Sequence, residues 1–174
     1  MRPLLLAAIG AGLLLPGAVL ATGVYQAPDA FIAEAFDGSP PAPRALWVTP
    51  EVRGGIEDIL GHDPPSLRIR YWAGAGRTAW ILEEIGKEQP ITTGIVVKAG
   101  RIERLRILVF RESRGWEVRH DFFTDQFPGA GLDEDRRLDR DIDGVSGATL
   151  SVRAVTKLAR LALFLDGQVA DDGA

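Results

Sequence analysis

Residues 90–110 read P-I-T-T-G-I-V-V-K-A-G-R-I-E-R-L-R-I-L-V-F. Two runs rich in β-branched residues flank Ala99-Gly100, a two-residue connection of the kind that closes a tight hairpin. In the second run Ile102, Leu105, Ile107 and Val109 sit among charges that would face water. Upstream, S-L-R-I-R-Y-W (66–72) and R-T-A-W-I-L-E-E-I (77–85) are strand-like as well, so an antiparallel meander is the simplest topology. Thr49-Pro50-Glu51 supplies an N-cap, a proline for the first helical position and an acid for the first turn, and Gly61 supplies a stop, which predicts a helix over 50–60. Beyond Arg111 the chain mixes aromatics, charges and glycines without a clean period and reads as a loop with short helical turns. From Ser151 onward Val152, Val155, Leu158, Leu161, Ala162 and Leu165 share one helical face, with Arg153, Lys157 and Arg160 on the other; this predicts a C-terminal helix ended by Gly167. The fold class is therefore α+β, an antiparallel sheet packed with helices.

The 174 residues suit one folded domain. Residues 4–21 carry no charge, follow Arg2 and end in Val19-Leu20-Ala21, which predicts a signal peptide or an N-terminal membrane anchor over 1–21 and a periplasmic or otherwise extracytoplasmic location for the rest. Residues 22–46, with Pro28, Pro40, Pro41 and Pro43, read as a spacer; 47–87 as the N-terminal part of the domain, 88–167 as its core and 168–174 as a tail. The formal net charge of −4 argues against a nucleic-acid partner. The absence of cysteine excludes disulfides, thiolate-bound iron–sulfur clusters and C-x-x-C-H haem attachment, so redox chemistry here would come from an organic cofactor.

The chemistry-bearing stretch is D-I-D-G-V-S-G-A-T-L-S, residues 141–151, which leads directly into the C-terminal helix. Gly144, Ser146, Gly147 and Thr149 thus stand where free backbone N–H groups and the positive helix end converge, a setting suited to an anion and in particular to a phosphate. Taken alone, the same residues equally suit a turn that merely caps a helix.

Asp143-Gly144-Val145-Ser146-Gly147-Ala148-Thr149 resembles the flavinylation motif of the FMN-binding domain family, which includes the periplasmic flavin subunits of the Rnf and sodium-pumping NADH:quinone reductase complexes. Asp143, Ser146, Gly147, Ala148 and Thr149 match position by position. The resemblance implies that Thr149 carries FMN through a phosphoester, placed by a flavin transferase with FAD as donor. It also implies that Ser146, Gly147 and Ala148 shape the phosphate turn and that Asp143 orients it. Upstream, Arg111-Glu112-Ser113-Arg114-Gly115-Trp116-Glu117 is similar to the family's E-T-P-G-L-G segment, with Glu112 and Gly115 in matching places, while Ser113-Arg114 replaces Thr-Pro and Trp116-Glu117 replaces Leu-Gly. Phe123, Gln126, Phe127 and Gly129 resemble the stretch that follows. Glu112, Gly115 and Trp116 join the expected FMN site, and Phe122, Phe123 and Phe127 are candidate aromatic walls for the ring.

The implied function is electron transfer between membrane-bound or exported redox partners, with no catalytic residue and no metal of its own. A flavin-free assembly subunit and a flavin-dependent reductase are the alternatives. A hydrolase elbow at Gly144–Ala148 fails on order, because His62 and His120 both precede Ser146, and the elbow wants glycine at Ala148. Two histidines so far apart, without cysteine, do not form a metal-ligand pattern. Gly74-Ala75-Gly76 lacks the third glycine and the βαβ context of a dinucleotide fingerprint and reads as a hairpin turn. Arg68, Arg70, Trp72, Arg77 and Trp80 are candidates for a partner-binding surface.

Overall fold

The computed structural model describes residues 23–171, so the expectations for 1–21 and for 172–174 lie outside the described residues. The elements run α1 (Pro28–Ala35), β1 (Arg44–Trp47), α2 (Pro50–Leu60), β2 (Arg68–Gly74), β3 (Arg77–Ile85), β4 (Pro90–Lys98), β5 (Arg101–Phe110), a 3₁₀ turn (Trp116–Arg119), α3 (Asp121–Thr124) and α4 (Thr149–Asp171). The five strands form one antiparallel sheet in the order β1-β2-β3-β4-β5, an uninterrupted meander. Both expected two-residue hairpins are present, with Ala75-Gly76 and Ala99-Gly100 at positive φ throughout, the backbone that matches strand twist.

The hairpin of β4 and β5 holds a detail that alternation alone misses. Register shifts place two residues of β5 opposite one of β4 at Glu103 and again at Leu108. Each bulge reverses the side-chain parity. Ile102, Leu105, Ile107 and Phe110 therefore all enter the core shared with α2 and α4, while Leu108 and Val109 join a second core under α1. Val109, grouped by the sequence with Ile102, Leu105 and Ile107, lies on the opposite face for this reason.

Helix α4 lies across one face and buries Val155, Leu158, Ala159, Ala162 and Leu165 completely. It runs past Gly167 to Asp171 instead of stopping there: Asp166 accepts a 2.6 Å hydrogen bond from the Thr78 hydroxyl, and Val169 packs on the core, so tertiary contacts outweigh one glycine. Helix α2 starts as expected, with the Thr49 hydroxyl accepting from Val52 N–H at 3.3 Å, and ends on Gly61 in the left-handed region. It packs against α4, and the reason for the second of the two glycines in its middle is visible: a Cβ at Gly55 would lie 2.1 Å from the ring of Phe164.

The segment expected to be a spacer is built into the fold. Within residues 23–46, α1 covers the other face of the sheet, Phe31 is fully buried, and a Cβ at Gly94 of β4 would lie 2.7 Å from the Phe31 ring. Arg44–Trp47 adds an edge strand, whose four-residue length carries no period to read. The proline-rich sequence around α1 hides a short helix that one aromatic knob fixes in place.

Candidate functional site

The site forms at the N-terminal end of α4, where two loops meet. In residues 141–149 Ala148 is buried and Ile142 and Val145 pack against the core, while Asp143, Gly144, Ser146, Gly147 and Thr149 face solvent. Apolar residues every third position pin the loop, and the residues between them are left for chemistry. Ala148 N–H donates to the Val145 carbonyl at 2.9 Å, closing a turn in which Gly147 has φ +79, a conformation that favours glycine. Val152 N–H is the first to find an intrahelical acceptor, the Ala148 carbonyl at 2.9 Å, so the N–H groups of Thr149, Leu150 and Ser151 remain for an external acceptor.

The second loop, residues 111–117, is held at both ends. Glu112 Oε1 accepts from three consecutive backbone amides of the β3–β4 turn, Lys87 N–H at 2.5 Å, Glu88 N–H at 2.6 Å and Gln89 N–H at 2.9 Å. Partial burial pushes this carboxyl up, but the amides of Gln89, Glu88 and Lys87, helped by the Lys87 ammonium, bring it below its ordinary value. At the other end Gly115 sits at φ +82, and a Cβ there would lie 2.6 Å from Ser151 Oγ and 3.4 Å from Ala148 Cβ. The two segments singled out in the sequence therefore pack backbone to side chain, and only a glycine fits between them.

Between them opens a cleft of about 550 Å³ lined by Lys87, Glu112, Ser113, Arg114 and residues 147–151. It brings together Glu112, Gly147, Ala148 and Thr149 of the expected site, with Gly115 as the contact beneath. Ser146 lies in the adjoining turn, outside the lining, as does Asp143, whose backbone N–H donates to Gln126 Oε1 at 2.6 Å. Gln126 thereby ties the loop to the end of α3. Lys87 and Arg114 are cleft residues that sequence reasoning did not select. Lys87 arrives from a turn with no motif of its own, and Arg114 was seen only as a departure from a pattern. Both bring a cation to the cleft; Lys87 is paired with Glu88 at 3.2 Å, while Arg114 has no carboxylate partner within ion-pair distance among the described residues.

The aromatic expectations divide. Phe123 and Phe127 are fully buried and meet edge to face at 5.3 Å, so they are core and not walls of the cleft. Trp116 and Phe122 are exposed, 42% and 62%, beyond Gly115, and neither lines the cleft. Among the candidates for a partner surface, Trp80 is fully buried against Tyr71 with its N–H donated to Thr78, and Arg77 is largely covered beside Glu103. Arg68 and Arg70 do face solvent. His62 and His120 lie apart: His62 pairs with Glu84 at 2.9 Å, and His120 stacks near Trp116 and Phe122. No group of three or more His, Cys, Asp or Glu that could hold a metal occurs among the described residues.

A cluster of free amides, two cations and a left-handed glycine turn with nothing within 4 Å of an added Cβ at Gly147 suits the phosphate end of a nucleotide cofactor. Residues 86–163 match the model of the FMN-binding domain family. No curated protein matches the chain significantly. The match begins just after β3 and includes every residue that lines the cleft. Residues 86–163 are thus similar to the FMN-binding domain family, a match that supports flavin binding with FMN as the cofactor.

Proposed function

We propose that this protein is an extracytoplasmic electron-transfer protein that carries FMN through a phosphoester on Thr149. The observation that carries the reading is the position of the Thr149 side chain: it stands on the first residue of α4, in the cleft, beside three backbone N–H groups without a partner among the described residues and flanked by Lys87 and Arg114. In the attachment step the Thr149 Oγ1–phosphorus bond replaces the anhydride bond of an FAD donor; AMP leaves, and the hydroxyl proton passes to the flavin transferase.

Each neighbouring residue has a physical task. The amides of Thr149, Leu150 and Ser151 and the helix end offset the phosphate charge, and Lys87 and Arg114 add to that field. Gly147 leaves the backbone open to close approach, Ser146 offers a hydroxyl at the turn, and Ala148 locks the turn into the core. Asp143 presents its loop through the backbone bond to Gln126, and Glu112 holds the rim turn that carries Lys87. Trp116, exposed one residue beyond Gly115 and outside the cleft lining, is the aromatic side chain available to a ring that extends out of the cleft. When bound, FMN supplies the electron-accepting and electron-donating ring; the chain supplies the attachment point and an open rim toward a membrane-bound or exported redox partner. Covalency suits a protein outside the cytoplasm, where a dissociable cofactor would be lost by dilution.

The test is intact mass and in-gel flavin fluorescence after denaturation, on protein co-expressed with a flavin transferase, comparing wild type with Thr149→Val. An FMN-sized adduct present in wild type and absent from the variant is expected. Absence of the adduct from wild type beside an active transferase overturns the proposal in favour of a flavin-free assembly role.

A further inference from the structure

Four of the large exposed apolar side chains form one patch beside the cleft: Val24 (49% exposed), Tyr25 (40%), Trp116 (42%) and Phe122 (62%). The patch is continuous. The Arg119 guanidinium lies 4.5 Å from the Tyr25 ring and 5.0 Å from the Trp116 ring, and His120 stands 5.4 Å from Trp116 and 6.0 Å from Phe122. Clustered exposed aromatics of this kind mark a surface that something covers. Tryptophan, tyrosine and arginine together are also the residues that settle at the boundary between lipid and water, where ring and long stem meet the acyl boundary and the polar ends meet headgroups.

The course of the chain says what covers it. The described chain enters at this patch, strapped along the edge of β5: Phe110 N–H donates to the Gly23 carbonyl at 2.7 Å, Val24 bridges to Val109, and Tyr25 N–H donates to the Leu108 carbonyl at 2.8 Å. The strap is closely fitted, since Gly23 has φ +106 and a Cβ there would fall 2.0 Å from the Phe110 carbonyl oxygen. The uncharged stretch 4–21 ends four residues before Tyr25, a reach of about 14 Å at full extension. A bilayer headgroup layer is about 5–7 Å thick on each side, so an anchor ending at Ala21 would leave the patch no room to stand far from the membrane.

We infer that Val24, Tyr25, Trp116 and Phe122, with Arg119 between them, form a docking surface for the headgroup layer of the membrane that residues 4–21 enter, which holds the Thr149 cleft at the lipid surface. Trp116 directly follows Gly115, the residue that packs on Ser151 beneath the cleft, and is itself outside the cleft lining. The inference rests on residues 4–21 being retained as an anchor. It deepens the proposed function by making the electron partner one that works within or on the same bilayer face.

The absence of native cysteine makes the test direct. Single-cysteine variants Phe122→Cys, Leu67→Cys and Leu13→Cys of the full chain are nitroxide-labelled in phosphatidylethanolamine–phosphatidylglycerol vesicles, and collision with oxygen is compared with collision with a water-soluble nickel chelate. Leu67, 62% exposed and far along the sheet near β2, reports on water. A probe at position 122 shielded from nickel several-fold more than the probe at 67, and equally so when Thr149→Val removes the flavin, is the expected result. Nickel access at 122 equal to that at 67, with the probe at 13 in lipid, overturns the docking surface and leaves the anchor standing. Shielding at 122 that disappears with Thr149→Val assigns the patch to flavin and also overturns it. A chain whose mass shows that residue 13 has been removed overturns the anchor and the inference together, while the flavin adduct on Thr149 is scored separately.

Discussion

Residues 23–85 and residues 86–163 build one sheet but do different work. The second region holds β4, β5, both loops of the cleft and most of α4, and all the residues lining the candidate flavin site fall within it. The first supplies β1–β3 and two helices that close the two faces, and contributes none of the cleft lining. The two are keyed to each other reciprocally. Phe31 from the first fills the space left by Gly94 of the second, and Phe164, just past the second, fills the space left by Gly55 of the first. A site can thus be confined to one stretch of sequence while the rigidity that holds it comes from another.

The largest expected effect comes from emptying the first of these keys. Phe31→Ala deletes a fully buried ring at the sheet face opposite the cleft and should cost about 3–5 kcal/mol in urea unfolding, with flavin loading per folded molecule unchanged. Loss of loading at full stability would break the division of labour. Next is Gly55→Ala, whose methyl would press on the Phe164 ring; overpacking should outweigh the helix-propensity gain and leave a net loss of about 1–2 kcal/mol, restored in part by pairing it with Phe164→Leu.

Gly115→Ala should have the reverse profile. It strains a residue at φ +82 and drives Ser151 away, so stability falls by about 1–2 kcal/mol while transferase-dependent attachment to Thr149 drops much further. Equal loading in variant and wild type would show that the contact between the loops is structural only.

The smallest effects are pH-dependent and carry opposite signs in the two regions. Glu112, in the second, has a carboxyl held below its ordinary value in the fold, so its contribution is present above the unfolded-chain value and disappears as pH falls through the folded one. Glu112→Gln should flatten the acid limb of stability by less than about 1 kcal/mol, since the group is only partly buried and solvent screens it. His62, in the first, is raised by the Asp63 carbonyl and then by Glu84, so its contribution is present below 6.5 and lost as pH rises through the folded value. His62→Gln should therefore cost under about 1 kcal/mol at about pH 5.5 and almost nothing at about pH 8, read by urea unfolding at the two pH values.

Legibility in the sequence also follows the two regions. β2 to β5, α2 and α4 announce themselves through alternation, caps and a long helical stripe, because each has enough residues for a period to show. α1 and β1 do not, being eight and four residues long amid prolines. Around the cleft, Thr149, Gly147, Ala148, Glu112 and Gly115 stand out through their motifs, whereas Lys87 does not, because its place depends on a turn clamped from 25 positions away by Glu112. Phe123 and Phe127 looked like cofactor walls because sequence cannot say which side of a loop aromatic is buried.

The sequence by itself determined the α+β class, the meander and the helix that follows the glycine turn, since these depend on periodicity and on local backbone chemistry, while the residue expected to bear the flavin came from the resemblance of its motif to a known family. Only the tertiary structure decided that two loops separated by about thirty residues close on each other at Gly115 and Ser151, that a bulge at Leu108 sends Val109 to the far face, and that an apparent spacer is a helix seated in Gly94. Those outcomes depend on which surfaces are brought together when the sheet folds, and close packing between distant segments leaves no period in a chain.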